Sequence, residues 1–163
     1  MTSIPPTFTP RGASALANFK EGYNCAQAVI LAFGDLTGLD PTTAARLVSS
    51  FGGGMGRMRE VCGAVSGALA VLGLMAGYDS PTDNGGKSQH YARVREFAER
   101  FKVKSGGGSI ICRELLAVTK ADPTPGGEPE ARTESYYRKR PCGELCAIAA
   151  EIVEDMLREQ GIV

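Results

Sequence analysis

Eighteen consecutive residues, Val61 to Tyr78, carry no charge, and this run limits the architectures open to the chain more than any other. It reaches the minimum length at which a membrane span is considered. The flanking sequence is amphipathic and polar and offers no partner span, so no stable membrane insertion is expected, and the run reads as a helix surrounded by others. Gly63, Gly67, Gly73 and Gly77 form two small-xxx-small pairs along it. Each glycine costs roughly 1 kcal/mol of helix propensity relative to alanine, a cost that close approach of neighbouring helices would offset. Were that face open instead, it would suit a subunit contact, and a homodimer is the assembly it suggests.

Helix signals recur on both sides. Thr9-Pro10 supplies a cap and a first-turn proline, and Leu16, Phe19, Tyr23, Ala26, Ile30 and Phe33 follow at helical spacing up to Gly34, which places Cys25 in the middle of one helix. Asp40-Pro41 repeats the signal and opens a helix with Ala44, Leu47, Val48 and Phe51 on one face, ending at Gly52-Gly-Gly-Met-Gly56. A turn-rich segment from Asp79 to Gly86 precedes a charged amphipathic helix through His90, Val94, Phe97 and Phe101. Ser109 is expected to cap a helix with Cys112 in its first turn, and Pro141 to begin a last helix whose apolar side carries Leu145, Ile148, Ile152, Val153 and Met156. No stretch shows period-two alternation. The expected fold is all-α, a compact bundle of about six helices around the Gly-rich central helix, with residues 1–163 one helical domain and 1–9 an extended N-terminal segment. Residues 119–140, rich in proline and glycine and poor in apolar side chains, are expected as a long surface loop.

A chain of 163 residues can bury a core without disulfides or metals as obligatory staples. Eighteen basic residues balance eighteen acidic ones, so no global field recruits a polyanion and nucleic acid is not an expected partner. The N-terminus lacks a basic start followed by an apolar core, and the expected location is the cytoplasm. Structural disulfides are disfavoured in a reducing compartment, so five cysteines need another role.

Those cysteines are Cys25, Cys62, Cys112, Cys142 and Cys146, and three of them, Cys62, Cys112 and Cys142, open helices in this reading. A helix start carries unpaired N–H groups and about half a positive charge, which should draw a thiol pKa below its reference of about 8.5. Cys142 follows Arg138-Lys139-Arg140 and is the first choice for a reactive thiolate. Cys142 and Cys146 lie four apart on one helix face and could share a metal. Their spacing is not that of a Cys-x-x-Cys pair, and a structural Cys146 is the weightier account. Passive core packing is the competing explanation for all five, yet it does not account for three helix starts carrying cysteine. The loop Gly52–Gly56 lacks the Lys-Ser or Lys-Thr of a nucleotide P-loop and no strand precedes it. It fits better as a tight wrap against Cys62, with Gly53, Gly54, Gly63 and Gly67 giving room for a cofactor or a substrate sulfur. Arg57 and Arg59 would add positive potential there, and the lone His90 supports no catalytic triad.

The order of Cys25, then Cys62-Gly63-Ala64-Val65-Ser66-Gly67, then Cys112 and Cys142 resembles the redox-active protein family named for its C_GCAxxG_C_C pattern. The surroundings Gly22-Tyr-Asn-Cys25-Ala-Gln-Ala-Val29, Phe51-Gly-Gly-Gly-Met-Gly56, Cys112-Arg-Glu-Leu-Leu116 and Pro141-Cys142 are similar too. The block reads Cys-Gly-Ala where the label has Gly-Cys-Ala, which leaves the thiol in place. The resemblance implies Cys25, Cys62, Cys112 and Cys142 as the functional set, with Cys146 the extra one, and redox activity or metal binding without naming a substrate. Two expectations follow. The cysteines converge on one thiol site that cycles between oxidation states, as in a thiol-dependent oxidoreductase with an unknown redox partner, or the same four are ligands of an iron–sulfur cluster or zinc. A partner-binding module with passive cysteines is the third.

Overall fold

A computed structural model describes residues 7–163, and among these described residues ten α-helices wrap around a shared apolar core. In chain order these are α1 (Pro10–Lys20), α2 (Cys25–Leu31), α3 (Gly34–Thr37), α4 (Pro41–Leu47), α5 (Gly52–Met55), α6 (Gly63–Ala76), α7 (Asn84–Lys104), α8 (Cys112–Val118), α9 (Glu134–Lys139) and α10 (Cys142–Glu159). The fold is all-α. Among the described residues the sole extended pairing is one antiparallel bridge between Val61 and Ile111, and no helix is long and apolar enough to cross a membrane. The count exceeds the six expected from periodicity because the first expected helix is split into α1 and α2 and three short pieces, α3, α5 and α9, form between the longer elements.

Several caps form as the sequence requires. Thr9 Oγ1 accepts from the Gly12 N–H at the head of α1, and Asp40 accepts from the Thr43 N–H at the head of α4, each satisfying an otherwise orphan donor. The continuous helix expected through Phe33 does not form. Gly22 adopts a left-handed φ of 113°, and Asn24 then starts a new helix with a reciprocal capping box, its side chain accepting from the Gln27 N–H while Gln27 Oε1 accepts from the Asn24 N–H. Cys25 is therefore the first residue of α2, not a mid-helix residue. Ser109 is not the N-cap of α8 either. That position falls to Ile111, and Ser109 Oγ accepts from the Ile111 N–H and contacts the Glu114 carboxylate.

Helix α6 packs on α2, α10 and α7, and α10 also lies along α1. The approach of α6 to α2 is set by glycine: a Cβ at Gly67 would stand 2.5 Å from the Ala26 carbonyl oxygen, and one at Gly63 would stand 3.0 Å from Cys25 Cβ. The second glycine pair behaves differently. Gly73 has nothing within 4 Å of its Cβ position and Gly77 follows the last turn as a cap, so only the N-terminal half of α6 is crowded. Helix α10 is tied to α1 through two buried carboxylates. Glu151 accepts from the Thr9 N–H at 2.5 Å, and Glu154 accepts from Arg11 Nε at 2.8 Å.

Gly67→Leu tests the α2–α6 contact. The side chain meets backbone rather than a yielding rotamer, so overpacking should exceed the propensity gained and destabilise by about 1–3 kcal/mol in urea melts. Gly73→Leu, over open space, should stay within about 0.5 kcal/mol of wild type or be more stable.

A candidate cysteine site under an arginine-lined loop

Four cysteines stand at four helix starts: Cys25, Cys112 and Cys142 are the first residues of α2, α8 and α10, and Cys62 is the N-cap of α6. All four line one cavity of about 340 Å³. Local backbone explains how each arrives. The Cys62 N–H donates to Ile110 O at 2.8 Å and the Cys112 N–H donates to Glu60 O at 2.6 Å, so the short antiparallel bridge holds these two cysteines side by side. The loop before it turns back on itself: the N–H groups of Arg57, Arg59 and Glu60 donate to the carbonyls of Gly52, Gly53 and Gly54. Gly53 and Gly54 need their left-handed φ values of 69° and 71° for this, and a Cβ on Gly54 would lie 2.7 Å from Cys112 Cβ. Only glycine fits there.

Gly53, Gly54 and Gly63 do line the cavity, as expected. Gly67 does not. It faces Ala26 one turn further along α6 and serves helix packing, which corrects its expected place beside a cofactor. Cys146 is fully buried and lies behind the cavity, with its thiol donating to Cys25 O at 3.6 Å. The i,i+4 pair on α10 thus points one sulfur into the cavity and one at the backbone of α2. His90 lies far along α7 beside Tyr78.

The segment expected as a surface loop, 119–140, forms a wall of the cavity. Arg132 donates from Nη1 to Phe19 O at 3.0 Å and from Nη2 to Tyr23 O at 3.1 Å, while Arg59 Nε donates to Thr124 O and Arg57 Nε to Gly126 O. Arg57, Arg59, Arg132 and Arg140 all line the space, against one carboxylate, Glu130. Arg140 is paired with Glu130 at 2.6 Å. Arg59 is 3% exposed and directs Nη1 to the Cys112 sulfur at 3.8 Å. Arg132 and Tyr136 escape sequence reasoning, since the partners they meet lie more than a hundred residues away and no local pattern marks them.

Burial reverses the expected ionisation. The Cys62 thiol is pushed from its ordinary 9.0 up to about 12, first by desolvation and then by the charge of Cys142. That rise corresponds to about 4 kcal/mol against the thiolate, where a helix start returns up to about 2 kcal/mol in a partly buried setting. Cys142, the expected reactive thiolate, is raised well above its ordinary value by the adjacent Cys25 thiol and then by burial, with Arg140 acting weakly the other way. For Cys25 the neighbouring Cys142 acts downward, but Cys146 and burial outweigh it and the net direction is well upward. Burial likewise raises Cys112 against the opposing Arg59, and raises Cys146. The resting site is a set of neutral thiols.

A family model described as "Putative redox-active protein (C_GCAxxG_C_C)" matches residues 23–156. Among solved structures, the split-Soret cytochrome c of Desulfovibrio desulfuricans, described with a novel iron centre, is similar in fold, with a TM-score of 0.60 at 17% identity over 98% of this chain and 73% of that one. A search of curated proteins finds no match.

The raised thiols carry a pH signature. An unfolded Cys62 releases its proton near 9.0 while the folded one holds it until about 12, so its contribution to stability is complete below pH 9 and is lost as pH rises through 12. Urea melts from pH 8 to 11 should show wild type losing stability more steeply than Cys62→Ala, by up to about 1.4 kcal/mol per pH unit; parallel profiles would contradict the burial of this thiol.

Proposed function

Because the chain belongs to the C_GCAxxG_C_C family, we propose that its cavity is a thiol redox site in which Cys25 and Cys142 form the pair that cycles between dithiol and disulfide. The observation that carries this is the convergence of four helix-start cysteines on one small cavity, where Cys25 and Cys142 act on each other's ionisation. Cys62 and Cys112 complete the wall, and Cys146 holds Cys25 from behind. Oxidation of the pair joins the two sulfurs and releases two protons and two electrons, which pass to a partner disulfide by thiol–disulfide exchange, one S–S bond forming as another breaks. Neutral resting thiols suit such a role, because they stay protected until a reactant enters and a thiolate forms beside Arg59 or Arg140. A reducing cytoplasm would return the pair to the dithiol.

A second reading, in which Cys25, Cys62, Cys112 and Cys142 hold an iron–sulfur cluster or zinc, is supported by the fold neighbour's iron centre. Four sulfurs facing one cavity are the right donor chemistry for a soft metal or cluster, which would supply one-electron transfer or structural cross-linking there. Their placement fits less well: among the described residues no group of three or more His, Cys, Asp or Glu side chains is gathered closely enough to hold one ion. The side chains would have to turn inward and lose their protons, at the cost in ionisation described above.

Mild oxidation followed by peptide mapping under non-reducing conditions should yield a Cys25–Cys142 disulfide as the main product, and Cys142→Ser should abolish it. Thiols that stay reduced under conditions that oxidise a free dithiol would defeat the redox-pair reading. Elemental analysis and a visible spectrum on protein purified without oxygen or a metal-affinity column should show no bound metal; iron with labile sulfide at near-integral stoichiometry would establish the second reading instead.

A further inference from the structure

The cysteine cavity is strongly unbalanced in charge. Four arginines line it against one glutamate, and that glutamate is already taken by Arg140. Among the described residues no carboxylate lies within 4.0 Å of the basic groups of Arg57, Arg59 or Arg132. Asp122 is near enough to feel Arg59, but it is exposed and its carboxylate is engaged by Thr124. Arg59 is the demanding case, because a guanidinium that is 3% exposed is ordinarily kept in a protein interior by a paired anion. Its partners here are one carbonyl oxygen and the sulfur of Cys112, which burial keeps protonated.

The backbone is bent to put these cations there. Arg57 and Arg59 both occupy the left-handed region, at φ 66° and 60°, a conformation that is costly for an L-residue and recurs at ligand-binding sites. Arg132 is fixed from the other side, with its guanidinium 4.2 Å from the ring centre of Phe19 and 5.0 Å from that of Tyr136. Two of its five N–H donors go to backbone carbonyls, which sets its direction and leaves donors over.

We propose that the cavity selects a small anionic disulfide, with a carboxylate held by Arg132 and Arg59 and the S–S bond lying against Cys142. This rests on the thiol-redox reading of the same site and names its substrate class. A volume of about 340 Å³ admits a small molecule and excludes a folded partner. In the exchange a cysteine sulfur of the Cys25–Cys142 pair attacks one substrate sulfur, the substrate S–S bond breaks, and the first substrate thiol leaves with a proton. The second cysteine sulfur then displaces the other substrate thiol. The balance is two substrate thiols formed and two cysteine thiols oxidised to one disulfide.

The test compares two disulfide probes of similar size on the reduced protein: 3,3′-dithiodipropionate, a dianion, and 2-hydroxyethyl disulfide, which is neutral. Mixed-disulfide formation is followed by mass spectrometry on native protein and on protein unfolded in urea. The native protein should favour the dianion at least tenfold more than the unfolded chain does. That preference should fall severalfold in Arg132→Gln and in the more exposed Arg57→Gln, and should shrink with added salt. An equal ratio in native and unfolded protein, with both probes reacting, overturns the anion selectivity and leaves the redox pair standing. If neither probe reacts with the native protein, the redox pair fails, and calorimetric titration then decides the anion site alone: binding of dithiodipropionate that is lost in Arg132→Gln upholds it, and no heat in either protein overturns it. Sodium sulfate titrated in parallel distinguishes an inorganic oxyanion from a carboxylate as the group the arginines hold.

Discussion

The contact on which the site depends is the approach of α6 to α2 at Gly63 and Gly67, where the Cβ positions would lie 3.0 Å from Cys25 Cβ and 2.5 Å from the Ala26 carbonyl oxygen. With no side chain between them, the head of α6 lies against the head of α2, and Cys62 reaches the same cavity as Cys25. The other two cysteines arrive by separate means. Cys112 is held to Cys62 by the antiparallel bridge, and Cys142 is carried in by α10, whose far turns are anchored to α1 through Glu151 and Glu154. A cavity built from four helix starts owes its position to backbone contacts. The redox cycle proposed for its sulfurs would therefore leave the core intact.

Burial and helix polarity pull these thiols in opposite directions, and burial is the larger effect. A helix start is worth up to about 2 kcal/mol in a partly buried setting, while the rise of Cys62 to about 12 is about twice that. What the helix starts contribute is geometry. Each brings a sulfur to the end of an element where the backbone carries no opposing side chain, and that places sulfurs from distant parts of the chain around a common space. The ionisation is left to the arginines, Arg59 beside Cys112 and Arg140 beside Cys142, each of which acts against burial at its own thiol.

Most of the helical frame was legible in the sequence, because it is written in caps. Thr9-Pro10, Asp40-Pro41 and Pro141 all stand where the helices begin. The break at Gly22–Asn24 was legible too, as a left-handed glycine followed by Asn-x-x-Gln, but the apolar spacing from Leu16 to Phe33 runs across it unchanged and conceals it. The four-cysteine set could be named only through the resemblance to the C_GCAxxG_C_C family. Its protonation could not, since desolvation depends on the packing of α1, α2 and α10 over the sulfurs and no local pattern reports that. Gly67 shows the same limit from the other side: its need for a missing side chain was visible, while the neighbour that required it, Ala26, was forty residues away.

The arginine wall would give the two oxidation states proposed for the site different electrostatic surroundings. While the thiols are neutral, Arg57, Arg59 and Arg132 face a cavity whose one carboxylate, Glu130, is paired with Arg140, and the field inside is positive. Ionising one thiol places a negative charge within that field, so the reactive form is favoured by groups that do nothing for the resting form. Forming a disulfide removes the charge again and restores the positive cavity. An anion entering beside Arg132 and Arg59 would compete with the thiolate for the same cations. A substrate that carries its charge at one end and its sulfur at the other resolves that competition by separating the two demands across the cavity, with the loop arginine taking the carboxylate and Arg140, at the head of α10, left to the attacking sulfur of Cys142.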